Sequence, residues 1–213
     1  MGTPVYHTEK DIPLICRSDE EIPALRPEED MDITLRILRT DIGESSALCD
    51  NLKDRIDAIN RNKTYNLTDF EKLSVQAVSS IYAIDEDMEK VKALREAFFD
   101  VWNKAYENRC TGWFKTEGVT EAVKYILEQT IICGDFEKGL TASGEPVILA
   151  EWCHFHRVQF SRIDVKLEDV KKEIFRKYRK YPWMDYNRIH KITKPSKIDG
   201  IDCEWYSIIC SDN

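Results

Sequence analysis

Residues 32–60 read DITLRILRTDIGESSALCDNLKDRIDAIN. Apolar and small side chains recur in this stretch in alternating steps of three and four. This is the a/d spacing of a heptad, and it predicts one long helix with a single packing seam. Either the seam packs within the chain as a helical hairpin, or it joins a second copy in a coiled coil. The seam consists of Leu35, Leu38, Ile42, Ser45, Cys49, Leu52, Ile56 and Ile59.

Three more helices are predicted before the glycine-rich segment at 134–144. The first begins at Asn66, a favourable N-cap, and its apolar stripe runs from Leu67 to Ile81. The next begins at the acidic run Asp85 to Asp87, and the last follows Thr120. A break between them predicts a helical domain over residues 31–112 and a second unit over residues 113–213.

The second unit is predicted to mix helix and strand. Residues 147–155 are apolar enough for a helix or for a buried strand, and periodicity does not separate the two. Residues 165–181 have helical spacing, and residues 187–193 and 201–209 read as two strands joined by a turn. A helix followed by a β-hairpin is the order of a winged helix. The predicted fold is therefore mainly α, with an N-terminal helical bundle or coiled-coil segment followed by a smaller α+β, winged-helix-like C-terminal module.

Charge is unevenly distributed along the chain. The formal net charge is −8, yet all 13 lysines and arginines of residues 151–213 lie between Arg157 and Lys197, where only five acids occur. Residues 1–30 hold eight acids, three bases and four prolines, which predicts an extended arm. That arm is either a disordered tail or a strap that docks on its own body or on a partner, with the basic face as one docking surface.

The basic region predicts a binding surface. On a helical wheel, four cations of residues 165–181 lie opposite the apolar stripe, and more cations follow in the predicted hairpin. One interpretation is a nucleic-acid-associated regulator or accessory factor that binds DNA or RNA. The other is an oligomeric scaffold or adaptor that assembles through the N-terminal seam and binds acidic protein partners. The predicted binding residues are Lys172, Arg176, Arg179, Lys180, Arg188, Lys191, Lys194 and Lys197.

Catalytic and metal signatures are few. The run Glu151 to Arg157, EWCHFHR, brings one cysteine and two histidines together, but no paired second half of a zinc site accompanies it. Reactive thiols are suggested only at Cys133, beside Gly134, and at Cys153, beside His154. We predict no metal, no cofactor and no enzymatic activity; a zinc- or cysteine-dependent enzyme is the further alternative.

Seven cysteines at irregular spacing predict free thiols in a reducing compartment. The first 30 residues lack the pattern of a secretory signal, and no run of 18 apolar residues occurs. The expected location is intracellular, cytoplasmic or nuclear, and no membrane contact is expected.

Overall fold

The computed structural model describes residues 37–40, 42, 45–62, 64–111, 115–155, 159–172, 178–192 and 196–197. About half of it is helical and 23% lies in strands, so the fold is α+β. The predicted arm over residues 1–30 and the predicted strand over residues 201–209 lie outside the described residues. In chain order the elements are β1 (Ile37–Arg39), α1 (Ser45–Arg61), α2 (Leu67–Ser79), β2 (Ile81–Asp85), α3 (Met88–Arg109), α4 (Val119–Thr130), β3 (Ile131–Cys133), β4 (Ile148–Phe155), β5 (Gln159–Lys166), α5 (Leu167–Lys171), β6 (Arg179–Lys180), β7 (Met184–Asp185), a 3₁₀ helix (Ile189–Lys191) and β8 (Ser196–Lys197).

A three-stranded parallel sheet lies at the centre of the fold. Its order is β1-β2-β3, with Ile37 opposite Ile81 and Ala83 opposite Ile131. Parallel neighbours need long crossover connections, and here each crossover contains two helices. Helices α1 and α2 connect β1 to β2, and α3 and α4 connect β2 to β3.

The parallel sheet is covered on both faces. Because side chains alternate along a strand, Ile81 and Ala83 of β2 pack in the helical core, whereas Tyr82 and Ile84 belong to a second core. That second core is shared with Leu149 and other apolar residues of β4 and β5. The Tyr82 hydroxyl also donates to the Ala150 carbonyl at 3.0 Å. The fold therefore has three layers: helices, the parallel sheet and an antiparallel sheet.

The antiparallel sheet is built on one long strand pair. Strands β4 and β5 pair over eight residues, β6 and β7 both pair with β5, and β8 pairs with β6. The segment after β7 returns to the helices, because Tyr186 and Ile189 are buried in the helical core. Residues 178–192 are thereby held between the antiparallel sheet and α4.

The prediction of one long helix over residues 32–60 is wrong at its start. Ile37–Arg39 is a strand, and the helix begins only at Ser45. Leu38, Ile42, Leu52, Ile56 and Ile59 are all buried, but Leu38 packs in the second core and the other four pack in the helical core, so they do not form one helical seam. Leu35 lies outside the described residues, Cys49 is half-buried, and self-association of the chain by another surface stays a prediction.

The predicted winged-helix arrangement is also corrected. The predicted helix over residues 165–181 is not continuous. Val165 lies in strand β5, and helix α5 has only five residues. Arg179 and Lys180 form strand β6, which pairs with β5. The predicted strand over residues 187–193 is instead a turn and the short 3₁₀ helix. Pairing with β5 satisfies the backbone groups of residues 179–180, which a helix there would have satisfied locally.

Local helix signals are confirmed. Asn66 caps α2 through a reciprocal capping box with Asp69, and Asp87 caps α3 by accepting from the Glu89 N–H. Helix α2 ends at Ser79, however, and Ile81 begins β2. The predicted boundary after residue 112 falls between α3 and α4, which pack together, while β3 completes the parallel sheet. A division into domains stays a prediction.

Within the described residues, no helix combines the length and the apolar character that crossing a membrane requires.

Candidate functional site

The predicted basic residues with described positions lie in three places. Arg179 and Lys180 form β6, where Lys197 of β8 is the backbone partner of Arg179. Arg188 and Lys191 lie beside the start of α4, where they line a separate cleft. Lys172 follows α5. Arg176 and Lys194 lie outside the described residues.

Arg179 belongs to a cluster of cations around one aromatic ring. The Tyr178 ring centroid lies 4.7 Å from the Lys166 ammonium and 4.6 Å from the Arg179 guanidinium carbon. Tyr178 is half-buried, and 42% of the Arg179 side chain is exposed. Cation–π contacts of this kind restrain long basic side chains. We call Lys166, Tyr178 and Arg179 the Tyr178 cluster.

A buried ion pair in β5 lies next to the Tyr178 cluster. Asp164 of β5 is fully buried and accepts from Arg162 Nε at 2.6 Å and from the Tyr181 hydroxyl at 3.1 Å. Its second oxygen lies 3.9 Å from Arg179. Burial alone would lower the pKa of Arg162, but the Asp164 carboxylate outweighs it and raises that pKa above its ordinary value. Arg162 and Asp164 therefore form a charged pair on which β6 rests.

The other described cations of this face have local partners. Lys171 donates to the carbonyls of Phe136 and Glu137 at 3.0 and 2.7 Å, so it anchors α5 to the loop after β3. Lys172 pairs with Glu168 one turn earlier at 2.5 Å, and both side chains are largely exposed. Exposed pairs of this kind contribute little to stability, and here the carboxylate offsets the positive charge of Lys172.

Asp85 ends the central strand of the parallel sheet. Its carboxylate accepts from the backbone N–H of Asp87 at 2.8 Å and from that of Ile42 at 3.0 Å, and Lys90 lies at 3.6 Å. Burial acts to raise the pKa of Asp85, but the two N–H donors and the ammonium outweigh it, so the pKa lies below its ordinary value. Asp85 therefore joins the segment after β1 to the start of α3.

Replacing Asp85 with asparagine is expected to lower the free energy of unfolding at pH 7 by about 1–2 kcal/mol, because a charged acceptor is lost. A depressed pKa stabilises the fold above the unfolded value, and this contribution disappears as the pH falls through the folded pKa. The difference between native protein and variant should therefore shrink below about pH 4. Urea unfolding across this range measures it; an equal difference at every pH would contradict the assignment.

The cysteines with described side chains are free thiols. Burial raises the pKa of Cys49, with a further contribution from Asp50, and burial raises the pKa of Cys110 to about 11, assisted by Glu71. A raised pKa favours the protonated form of both thiols at neutral pH. Cys133 donates to the Glu86 carbonyl at 3.4 Å. The side chains of Cys153, His154 and His156 lie outside the described residues, and no metal-binding group of three occurs within them.

Two buried carboxylates were missed by sequence reasoning. Glu71 in α2 is fully buried and accepts from the hydroxyls of Tyr106, Thr116 and Tyr186 and from the Thr116 N–H. Burial raises the pKa of both tyrosines above the ordinary value, so both remain donors. Asp164 had one usable signal, since Arg162 and Asp164 are two apart and share a face if residues 159–166 are read as a strand.

Comparison of the chain with protein-family models, curated proteins and solved structures finds no match. The functional proposal therefore rests on the geometry alone.

Proposed function

We propose that this protein is a non-enzymatic interaction protein that binds single-stranded nucleic acid through the Tyr178 cluster. One observation carries the proposal: the half-buried Tyr178 ring lies within 4.7 Å of both the Lys166 ammonium and the Arg179 guanidinium. Proteins that bind single strands combine cations along the backbone with aromatic side chains. Here both kinds of group occur together, where β5 ends and β6 begins.

Charge and preorganisation favour this surface for phosphates. Lys166 and Arg179 supply two cations, while Asp164 is neutralised largely by buried Arg162, whose Nε lies 2.6 Å from the carboxylate. The ring of Tyr178 and the Asp164 carboxylate hold Arg179 in place, so less side-chain entropy is lost when a phosphate binds. An acidic protein segment would be attracted by the same charge, but the aromatic ring favours a nucleic acid.

Single strands suit this surface better than a duplex. Reading a major groove requires a helix or a two-stranded ribbon that enters the groove. Helix α5 has five residues and is about 8 Å long, and Lys171 at its end is held by two carbonyls. A flexible single strand can instead pass over Lys166 and Arg179, which lie together at the Tyr178 ring.

Binding is tested by fluorescence anisotropy of the full chain with labelled oligo(dT), oligo(rU) and a duplex over a series of salt concentrations. Two phosphate contacts predict that log K falls with log salt with a slope of about −1.4 for single strands. Both single strands should bind more tightly than the duplex. Absence of salt-sensitive binding to either single strand at low ionic strength would overturn the proposal.

Matched variants locate the surface. Replacing Tyr178 with leucine should weaken binding about fivefold to tenfold, because Lys166 and Arg179 lose their shared ring. Tyr178→Phe keeps the ring and removes only the hydroxyl that accepts from Arg179 at 3.2 Å, so affinity should change by about twofold or less. Lys104 is exposed on α3, in the helical layer, so Lys104→Gln serves as a control for nonspecific charge. Equal effects of Tyr178→Leu and Lys104→Gln would contradict this location.

A further inference from the structure

A cleft lies between the start of α4 and residues 187–191, apart from the Tyr178 cluster. Its volume is about 480 Å³, which is within the range of small-molecule sites. It contains none of the residues of the Tyr178 cluster. Its chemistry is therefore separate from the proposed function.

The base of this cleft is built by close backbone contact. Gly118 has a φ of +86°, and a Cβ there would lie 2.4 Å from the Asn187 carbonyl oxygen and 3.1 Å from His190 Cε1. Only glycine fits this approach. The Asn187 side-chain amide donates to the Glu117 carbonyl at 2.8 Å and joins the two segments. The cleft is thus preformed by the fold.

Opposite charges line the two sides of the cleft. Glu117 and Glu121 come from the start of α4, and Arg188 and Lys191 come from the other segment. All four side chains are exposed, and no ion pair within 4.0 Å joins the two sides in the described part of the chain. Carboxylates and cations therefore line the same cleft without forming ion pairs across it.

A histidine with one buried nitrogen forms part of the cleft wall. His190 lines the cleft, and its Nδ1 is buried without a hydrogen-bond partner among the described residues. Buried polar atoms are almost always paired in folded proteins, and exceptions mark a place for water or another group. Because Nδ1 is closed to solvent, it belongs to the wall of the cleft, and the charged side chains alone are assigned to the ligand.

We infer that this cleft binds a small zwitterion that carries an ammonium and a carboxylate group. The ammonium is paired by Glu117 and Glu121, and the carboxylate by Arg188 and Lys191. Charge-assisted hydrogen bonds at both ends select a molecule with both charges, because an analogue with one charge leaves one side without a partner. The distance between the ammonium and the carboxylate then determines which zwitterion binds most tightly.

The test uses a series of ω-amino acids, from glycine to 6-aminohexanoate, added to the ¹⁵N-labelled full chain. We expect concentration-dependent NMR shifts at residues 117–121 and 187–191, with a dissociation constant in the millimolar range for the best member. Butylamine and butyrate, which carry one charge each, should bind about tenfold more weakly. The proposal is overturned if no zwitterion shifts these residues, or if either analogue binds as tightly.

Charge-neutral variants separate the two sides. Glu121→Gln and Arg188→Gln should each weaken zwitterion binding about fivefold or more, because each removes a charged partner. Glu96 and Lys104 are exposed on α3, away from the cleft, so Glu96→Gln and Lys104→Gln should leave it unchanged. Unaltered binding in both cleft variants would sink the inference. Binding of oligo(dT) should be unchanged in Glu121→Gln, so failure of either proposal is recognised independently.

Discussion

Replacing Asp164 with asparagine is expected to destabilise the fold by about 3–5 kcal/mol. Asp164 is fully buried, and its partner Arg162 is only 9% exposed, with 2.6 Å between Arg162 Nε and the carboxylate. The amide carries no charge and presents an NH₂ group to the guanidinium. The variant therefore leaves a buried cation without compensation, which is among the costliest single changes in a protein interior.

A double variant identifies the cause. Replacing Arg162 with methionine together with Asp164→Leu removes both charges, and apolar replacements of a buried pair are often neutral. We expect the double variant to recover at least half of the lost stability. Equilibrium urea unfolding at constant pH measures both proteins, with similar m-values as the check on compactness. A double variant as unstable as Asp164→Asn would show that the uncompensated charge is not the reason.

The second large effect is expected at Glu71. Its carboxylate accepts from Tyr106 at 2.9 Å, from Tyr186 at 2.7 Å and from the N–H and hydroxyl of Thr116. Replacing Glu71 with alanine leaves these donors without an acceptor in the interior. We expect a loss of about 3–5 kcal/mol, or a thermal midpoint lower by roughly 10 °C in a chain of this size.

Tyr186→Phe is the matched control for Glu71. It removes one hydroxyl from the same carboxylate and keeps the ring, so the expected loss is about 1 kcal/mol. Thermal unfolding followed by circular dichroism compares the two variants. If Glu71→Ala were no more destabilising than Tyr186→Phe, the four hydrogen bonds would not act together. A much larger effect of Glu71→Ala would indicate that the hydrogen bonds of Glu71 together hold residue 186, which precedes residues 187–191 of the cleft, against the helical layer.

Helix starts were predictable because their signals are local. Asn66 and Asp69 exchange hydrogen bonds three residues apart, and Asp87 accepts from Glu89 two residues on. Such contacts form within one turn and need nothing from the rest of the chain. The apolar stripe of α4 was also predictable from the sequence, since Val123, Ile126 and Leu127 are all buried as their spacing predicts. The two strand signals did not give the observed sheets, because residues 187–191 form a turn and a 3₁₀ helix and residues 201–209 lie outside the described residues.

The parallel sheet was decided only by tertiary structure. Strands β1 and β3 have three residues each and β2 has five, and their partners lie more than 40 residues away in sequence. Because both faces of the sheet are covered, β2 reads IYAID, an apolar run without alternation. Because α2 precedes this run and α3 follows it, its apolar residues also fit the end of one helix or the beginning of the next.

Residues 165–181 show the same competition at the candidate binding surface. Their spacing fits a helix with a basic face, but β5 offers backbone partners at Ile163 and Asp164, and Arg179 and Lys180 pair there instead. Composition determined that this part of the chain is basic. Tertiary pairing decided which cations meet Tyr178, which meet Glu168 and which line the cleft, because those contacts join elements that sequence spacing cannot relate.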